Sequence, residues 1–441
     1  MTEMLRRDIP PQTKTFEHFN FPGPVLAETP YGVPLYIVSG EKHEVLRVDI
    51  LFRRGAYNQT LPLQASSSAA IASEATEHYS SARLSELVDF YGGWIQRAVY
   101  MHATLFTLYA PKRNFSKLLA LFVEVLSRPR FSRRDLTLYK ERGRSEYKQM
   151  YERVDFIAAQ SLRKLLYTTH PYGTTAKADD FDNLTIPLLK EYHQKTCIRK
   201  NSMAILSGNI DDKTVEQTID ALAALPEPPE KEAEEAIYPL HDSTDRFVYD
   251  EKEDALQCSV RIGGIIKKET ESDNPELSIL NTLLGGYFGS RLMTNIREEK
   301  GYTYGIGSSI TPLRYATSIN IAAQCDLKYA GSLIKEVISE INKIKEIPVK
   351  AEEIESVRQY MLGEMNRIFD SRFTFADACL SMLINEQPFD YINRKAATLL
   401  TITPEQIMAT ARKYLHPDKM HVAVAGGDKQ FGYKISQTLK E

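Results

Sequence analysis

One order of elements runs through this 441-residue sequence twice. In the first half, strands are expected at 35–39 and 46–53, and Leu46, Val48, Ile50 and Phe52 share one face of the second, the mark of a half-buried strand. An Ala/Ser-rich stretch at 65–76 follows. A helix at 81–91 then stops at Gly92-Gly93, a strand pair covers 94–100 and 104–110, and an amphipathic helix covers 115–126. Pro129 ends the next connection, a long charged helix runs over 133–151, and a helix at 186–196 precedes a buried strand at 202–206. The second half repeats this with strands at 246–249 and 257–263, a helix at 275–284 before Gly285-Gly286, and strands at 303–309 and 316–323. Helices at 333–344, 351–369 and 404–414 and a strand at 421–425 complete it. Pro348 stands where Pro129 stands, 219 positions later, and Asp418-Lys-Met-His-Val-Ala follows Asn201-Ser-Met-Ala-Ile-Leu by 217. A period of about 220 residues predicts an α+β fold of two homologous α/β-sandwich domains made by internal duplication.

The clearest break between the copies is 225–236, where Pro226, Pro228 and Pro229 stand among glutamates, a composition that cannot bury a core. The expected division is an N-terminal arm at 1–24, a first domain at 25–224, an acidic, proline-rich linker at 225–243 and a second domain at 244–441. A net charge of −3 with no basic stripe argues against nucleic acid as a partner. Cys197, Cys258, Cys325 and Cys379 form no CxxC pair, which argues against a thiolate zinc site and fits a reducing compartment. No stretch is long and apolar enough to span a bilayer, and residues 1–11 lack the apolar centre of a signal peptide, so the expected location is the cytoplasm.

Three strings carry a resemblance. They are Arg128-Pro-Arg-Phe131, His170-Pro-Tyr-Gly173 and the long Ser290-Arg-Leu-Met-Thr-Asn-Ile-Arg-Glu-Glu-Lys-Gly-Tyr-Thr-Tyr304. With the duplication, they make the chain resemble the pitrilysin/insulinase family of zinc metallopeptidases, from about Pro24 to Gly427. Members of that family carry an inverted H-x-x-E-H motif, with two histidines one helical turn apart as zinc ligands and a glutamate as general base. With Ala75-Thr76 and Gly92-Gly93 in the places of the family's flanking pairs, the motif falls on Ser66-Ser-Ser-Ala-Ala70. Ser66 and Ala70 then replace the two histidines, and Ala69 replaces the base. The distal glutamate ligand, about 76 positions further on, corresponds to Glu146. One carboxylate does not hold a catalytic zinc that needs three protein ligands, so no metal is expected on this chain.

A second register competes. Glu74-Ala-Thr-Glu77-His78 differs from the motif by one residue type, and Glu152 lies 74 positions beyond His78. A Glu/His/Glu zinc site is chemically possible there. The register is eight positions late, however, and no Gly-Thr-type pair follows it. The three serines lie in neither a G-x-S-x-G elbow nor an SxxK motif, so they read as packing residues. Gly285-Gly286-Tyr287-Phe288-Gly289 lacks a Walker lysine and reads as a tight turn or a loop near substrate.

Arg297 and Tyr304 match, in type and seven-residue spacing, the pair with which family members grip substrate. A guanidinium donates a fork of hydrogen bonds to a peptide carbonyl, and a tyrosine hydroxyl can donate to the oxyanion that forms from one. In one branch of the family, two half-size chains close into a chamber, one bringing zinc and the other the arginine and tyrosine. The resemblance therefore implies a bacterial-type, non-catalytic half of such a clam shell, with zinc and catalysis in a homologous partner and peptides as substrate. Two alternatives remain open: a peptide-binding or structural homodimer without proteolysis, and an independent peptidase using Glu74, Glu77, His78 and Glu152.

Overall fold

The structure is a computed structural model that describes residues 19–40, 43–227, 235–241, 243–266 and 274–438. Most of the arm at 1–24 and the middle of the linker at 225–243 lie outside the described residues.

Two mixed sheets dominate. The first contains β1 (Val25–Ala27), β2 (Leu35–Ser39), β3 (Val45–Phe52), β4 (Trp94–Val99), β5 (Thr104–Pro111) and β6 (Ser202–Gly208), in the order β1-β2-β6-β3-β5-β4. The second contains β7 (Phe247–Asp250), β8 (Gln257–Ile266), β9 (Thr303–Pro312), β10 (Thr317–Asp326) and β11 (His421–Ala425), in the order β7-β11-β8-β10-β9. Matching β2, β6, β3, β5 and β4 to β7, β11, β8, β10 and β9 reproduces the order strand for strand. In each sheet the strand that enters last pairs in parallel with the strand that entered early, β6 with β2 and β11 with β7. All other pairs are antiparallel. The duplication expected from the sequence is thus present in the topology.

Helices follow the same plan. α1 (Gln64–Ala72) and α2 (Ser81–Phe90) separate β3 from β4. α2 is capped by the Ser80 hydroxyl, which accepts from Arg83 N, and it ends at Gly92, whose φ of +71° is the left-handed turn that glycine accepts without strain. α3 (Phe115–Ser127) lays Phe115, Leu118, Leu119, Phe122 and Leu126 on the same sheet face as Leu46, Val48, Ile50 and Phe52. α4 (Arg133–Met150), α5 (Val154–Tyr167), α6 (Ile186–Thr196) and α7 (Asp212–Ala223) complete the first half. The second half has α8 (Asn274–Asn281), α9 (Ala330–Glu346), α10 (Ala351–Asn366), α11 (Arg372–Ile384), α12 (Tyr391–Thr401), α13 (Pro404–Tyr414) and α14 (Lys429–Thr438).

Two helices that the periodicity does not announce, α5 and α11, are exchanged. α5 follows first-half elements yet packs on β8, β11 and β7 of the second sheet. Gly263 in β8 makes room for it: a Cβ there would lie 2.8 Å from the Ile319 carbonyl oxygen and 3.1 Å from Leu162 of α5. Reciprocally, α11 packs on β6 and β2 of the first sheet. Its Phe375, Ala376, Cys379 and Leu380 share one buried cluster with Val38, Leu51, Met203 and Ile205.

This exchange corrects the half-buried reading of β3. Arg47 and Asp49, on the face expected to meet water, are buried, and Asp49 is 0% exposed. Arg47 pairs with Asp49 at 2.8 Å and reaches Asp377 on α11 at 2.6 Å. Burial pushes the Asp49 carboxyl up to about 6, against the opposing pull of Arg47 and the Thr107 hydroxyl. The helix expected to stop at Gly285-Gly286 instead runs through them as a π-helical turn, Thr282–Gly286, because Gly285 lies against β9 where a Cβ would meet Ser308 N at 2.7 Å.

Candidate functional site

α1 is made of small residues because it is enclosed by α4, α6 and β4. Gln64 opens it from within: its Oε1 accepts from Thr60 N at 2.7 Å and its Nε2 donates to the Leu188 carbonyl at 3.2 Å. The three serines are all engaged. Ser66 Oγ donates to the Leu63 carbonyl at 3.1 Å, Ser67 Oγ to the Tyr139 hydroxyl of α4 at 3.2 Å, and Ser68 Oγ to the Leu189 carbonyl of α6 at 2.8 Å. None has a base beside it, as the packing reading expects. Ser66 is exposed, whereas Ala69 and Ala70 are only 5% and 3% exposed. Ala69 lies in the core cluster of the first sheet with Phe52 and Phe106. The space is therefore closed by packing, and the three positions present no donor atom beyond one serine hydroxyl. Glu146 sits exposed on α4, seven positions from Tyr139 and so on nearly the same helical face.

The competing register is taken apart by the fold. His78 Nδ1 contacts Glu124 at 3.0 Å, and that carboxylate also accepts from Thr76 Oγ1 at 2.6 Å. Glu74 accepts from Ser81 at 3.4 Å, Glu77 is exposed, and Glu152 turns to Lys252 of the second half at 2.5 Å. Among the described residues no group of three or more His, Cys, Asp or Glu side chains could hold a metal ion.

Arg297 and Tyr304 are brought together. A second π-helical segment, Met293–Glu299, carries Arg297. Asn295 anchors it, donating from Nδ2 to the Glu340 carboxylate of α9 at 2.7 Å, and Arg291 grips Glu353 of α10 with two hydrogen bonds at 2.6 and 2.9 Å. Gly301, at φ +66°, turns the chain back into β9, so that Arg297 Nε donates to the Tyr304 carbonyl at 3.0 Å. The other side of the guanidinium stacks on Phe288, with its carbon 4.5 Å from the ring centroid. The guanidinium is thus held flat, with the side chain 34% exposed and one terminal nitrogen 3.7 Å from Glu298. The Tyr304 side chain is 92% exposed and Phe288 62%. Both present themselves to solvent from the loop end of the second sheet. Phe288 was not singled out in the sequence; a phenylalanine followed by glycine, nine positions before Arg297, was the available signal. Its neighbour Tyr287 stacks on Tyr360 of α10 at 4.9 Å, which ties the loop down.

Residues 183–361, which include Arg297 and Tyr304, match the family described as peptidase M16 inactive domain. Over those residues the chain resembles the inactive domain of peptidase M16 proteins. Two curated relatives are similar in sequence. The non-peptidase homolog YmxG of Helicobacter pylori is 24% identical over 248 residues, 54% of this chain and 56% of the relative. The probable inactive metalloprotease YmfF of Bacillus subtilis is 23% identical over 259 residues, 56% of each. The chain thus spans little more than half the length of the curated relatives it matches. Among solved structures, a peptidase M16 inactive domain from Pseudomonas fluorescens superposes with a TM-score of 0.84 at 22% identity, covering 92% of this chain and 98% of that one. The periplasmic protease PqqL of Escherichia coli superposes at 0.77 and 16% identity, covering 95% of this chain and 48% of its own. These superpositions establish the two-sheet fold. No described helix is long and apolar enough to cross a membrane.

Proposed function

We propose that this chain is the non-catalytic subunit of a cytoplasmic, heterodimeric zinc peptidase. In this reading it supplies Arg297 and Tyr304 to peptide bound at the zinc of a homologous partner. One observation carries the reading. The Arg297 guanidinium is fixed between the Tyr304 carbonyl and the Phe288 ring and stays partly exposed, beside a Tyr304 side chain that is 92% exposed. One outer nitrogen lies 3.7 Å from the exposed Glu298, a contact that an incoming peptide carbonyl can replace. The zinc would belong to the partner, because Ser66, Ala69 and Ala70 supply no imidazole or base and Glu146 stands alone. Arg297 would orient the substrate backbone, and Tyr304 would donate to the developing oxyanion.

The test is reconstitution with a zinc-bearing M16 homologue and an internally quenched peptide. Turnover should need both chains and fall about 100-fold or more in Arg297→Ala and Tyr304→Phe, the scale of losing an oxyanion donor. Unchanged turnover in both variants refutes the reading. The two curated relatives are named a non-peptidase homolog and a probable inactive metalloprotease, which fits a non-catalytic subunit and equally a second reading, a peptide-binding or structural homodimer. A self-associating chain that binds labelled peptide in the absence of any partner supports that one instead.

A further inference from the structure

Cysteines that are scattered in the sequence do not all stay apart in the fold. Cys258, the second residue of β8, lies directly opposite Cys325, the ninth of β10, in the antiparallel ladder, and their sulfurs are 3.8 Å apart. Cys197 and Cys379 are buried elsewhere without a sulfur neighbour among the described residues. We propose that Cys258 and Cys325 form a reversible, strand-bridging disulfide on exposure to a peroxide-class oxidant, at the strand end that carries Tyr304.

Three features support this. First, the geometry is close to that of a disulfide without being one. The sulfurs must approach by about 1.8 Å to reach a bond of about 2.05 Å, which rotation about the Cα–Cβ bonds and a small approach of the strands can supply. Directly opposed residues hold their Cβ atoms about 4.5–5.5 Å apart, whereas a relaxed disulfide prefers about 3.5–4.5 Å. The bond formed here would be somewhat strained, and strained disulfides are the readily reduced ones.

Second, the pair sits where a buried thiol can be reached. Both cysteines are fully buried, but only the pair Gln257 and Asp326 lies beyond them at this end of the ladder. On its other side, β10 breaks register against β9 between Ala323 and Cys325. A sheet end next to a bulge opens at lower cost than a sheet centre. The contact between the two sulfurs lowers the Cys258 thiol, against burial, which raises it.

Third, the position is one residue from the site. Cys325 pairs across the sheet with Thr303, and the Thr303 hydroxyl bonds the Gln324 carbonyl at 2.5 Å and the Gly305 carbonyl at 2.9 Å. Drawing β10 toward β8 at Cys325 therefore pulls on the backbone that positions Tyr304. That consequence rests on the function proposed for Arg297 and Tyr304; the disulfide itself does not.

The chemistry balances with the peroxide as sole oxidant. The Cys258 thiolate attacks one peroxide oxygen; an S–O bond forms, the O–O bond breaks, and the second oxygen leaves as water. Cys325 then attacks the Cys258 sulfur; the S–S bond forms, the S–O bond breaks, and a second water leaves with the remaining thiol proton. Two electrons have passed from the two thiols to the peroxide. A dithiol reductant reverses the reaction.

The experiment treats the purified native chain with hydrogen peroxide, then unfolds it in the presence of iodoacetamide. Two of the four cysteines should escape alkylation, a non-reducing digest should yield one peptide pair joining Cys258 to Cys325, and dithiothreitol should restore four alkylated thiols. Cys197→Ser should leave the linkage intact, and Cys258→Ser should abolish it. Four alkylated cysteines after peroxide, a linkage between other cysteines, or loss of two thiols that dithiothreitol does not restore each overturn the proposal. In the reconstituted peptidase, oxidation should lower turnover at least several-fold, reversibly, in Cys197→Ser but not in Cys258→Ser. A linkage that forms with turnover unchanged overturns the coupling to Tyr304 and leaves the Arg297 reading standing. Full turnover in Arg297→Ala overturns that reading and leaves the disulfide.

Discussion

Replacing Ala69 by glutamate would return to α1 the residue type that acts as general base in active relatives of this family. The surroundings of Ala69 set the cost. Its side chain is 5% exposed and belongs to the cluster that contains Phe52, Phe106 and Phe122. One further methylene and a carboxyl group in a closed core cost about 1–3 kcal/mol through overpacking. The carboxyl must also stay protonated. Holding a glutamate of ordinary pKa near 4.3 neutral at pH 7.5 costs a further ~4 kcal/mol, and at pH 5 only ~1 kcal/mol. The sign follows from the raised folded pKa: the penalty is absent below pH 4 and grows as pH rises. Urea unfolding of the parent and Ala69→Glu at both pH values, with Ala69→Gln as the uncharged control, reads this directly. Ala69→Glu should lose about 3 kcal/mol more at pH 7.5 than at pH 5, each relative to the parent, while Ala69→Gln shows the same loss at both. Equal losses for glutamate at the two pH values would mean that position 69 reaches water. The packing account of the lost motif would then be wrong.

Two other outcomes are expected. Burial lowers His193 and His102 to about 4, in His102 with help from Arg314 and His170 and against Glu386, so each favours the folded state only while neutral. Stability should be complete above pH 6.5 and fall by about 3 kcal/mol for each histidine as pH drops toward 4, and urea midpoints for His193→Gln should fall about half as steeply. In Gly143→Ala, the new methyl would lie 2.3 Å from Phe181, so α4 must move off the 178–183 turn. The net loss should be about 1–2 kcal/mol despite alanine's better helix propensity, measured by thermal unfolding; a stabilised variant would contradict the packing.

The reading of the sequence was strongest where a property is local. Period-2 and helical spacing located ten of the eleven strands and the helices α2, α3, α4, α6, α8, α9, α10 and α13, because one apolar face against one polar face leaves a local trace. The missing strand, β1, spans three residues. α5, α7, α11, α12 and α14 were not expected from the sequence; of these, α5 and α11 each pack on the other half's sheet and so lack a clean polar face. The Arg297–Tyr304 spacing was legible as a motif, but the support beneath it was not. Phe288 acts through a ring placed by a loop, and neither residue type nor spacing states that an aromatic ring will lie 4.5 Å from a guanidinium.

By itself, the sequence determined the duplication, the main order of elements in each copy and the absence of histidine and glutamate from Ser66-Ser-Ser-Ala-Ala70. These follow from chain chemistry and short-range periodicity. Tertiary structure alone decided that α5 and α11 change places, that Arg47 and Asp49 are sealed inside by Asp377 from 330 positions away, and that Cys258 meets Cys325. The physical reason is the same in each case. Burial of a second sheet face and register between strands depend on surfaces contributed by distant parts of the chain, and those surfaces exist only once both sheets have formed.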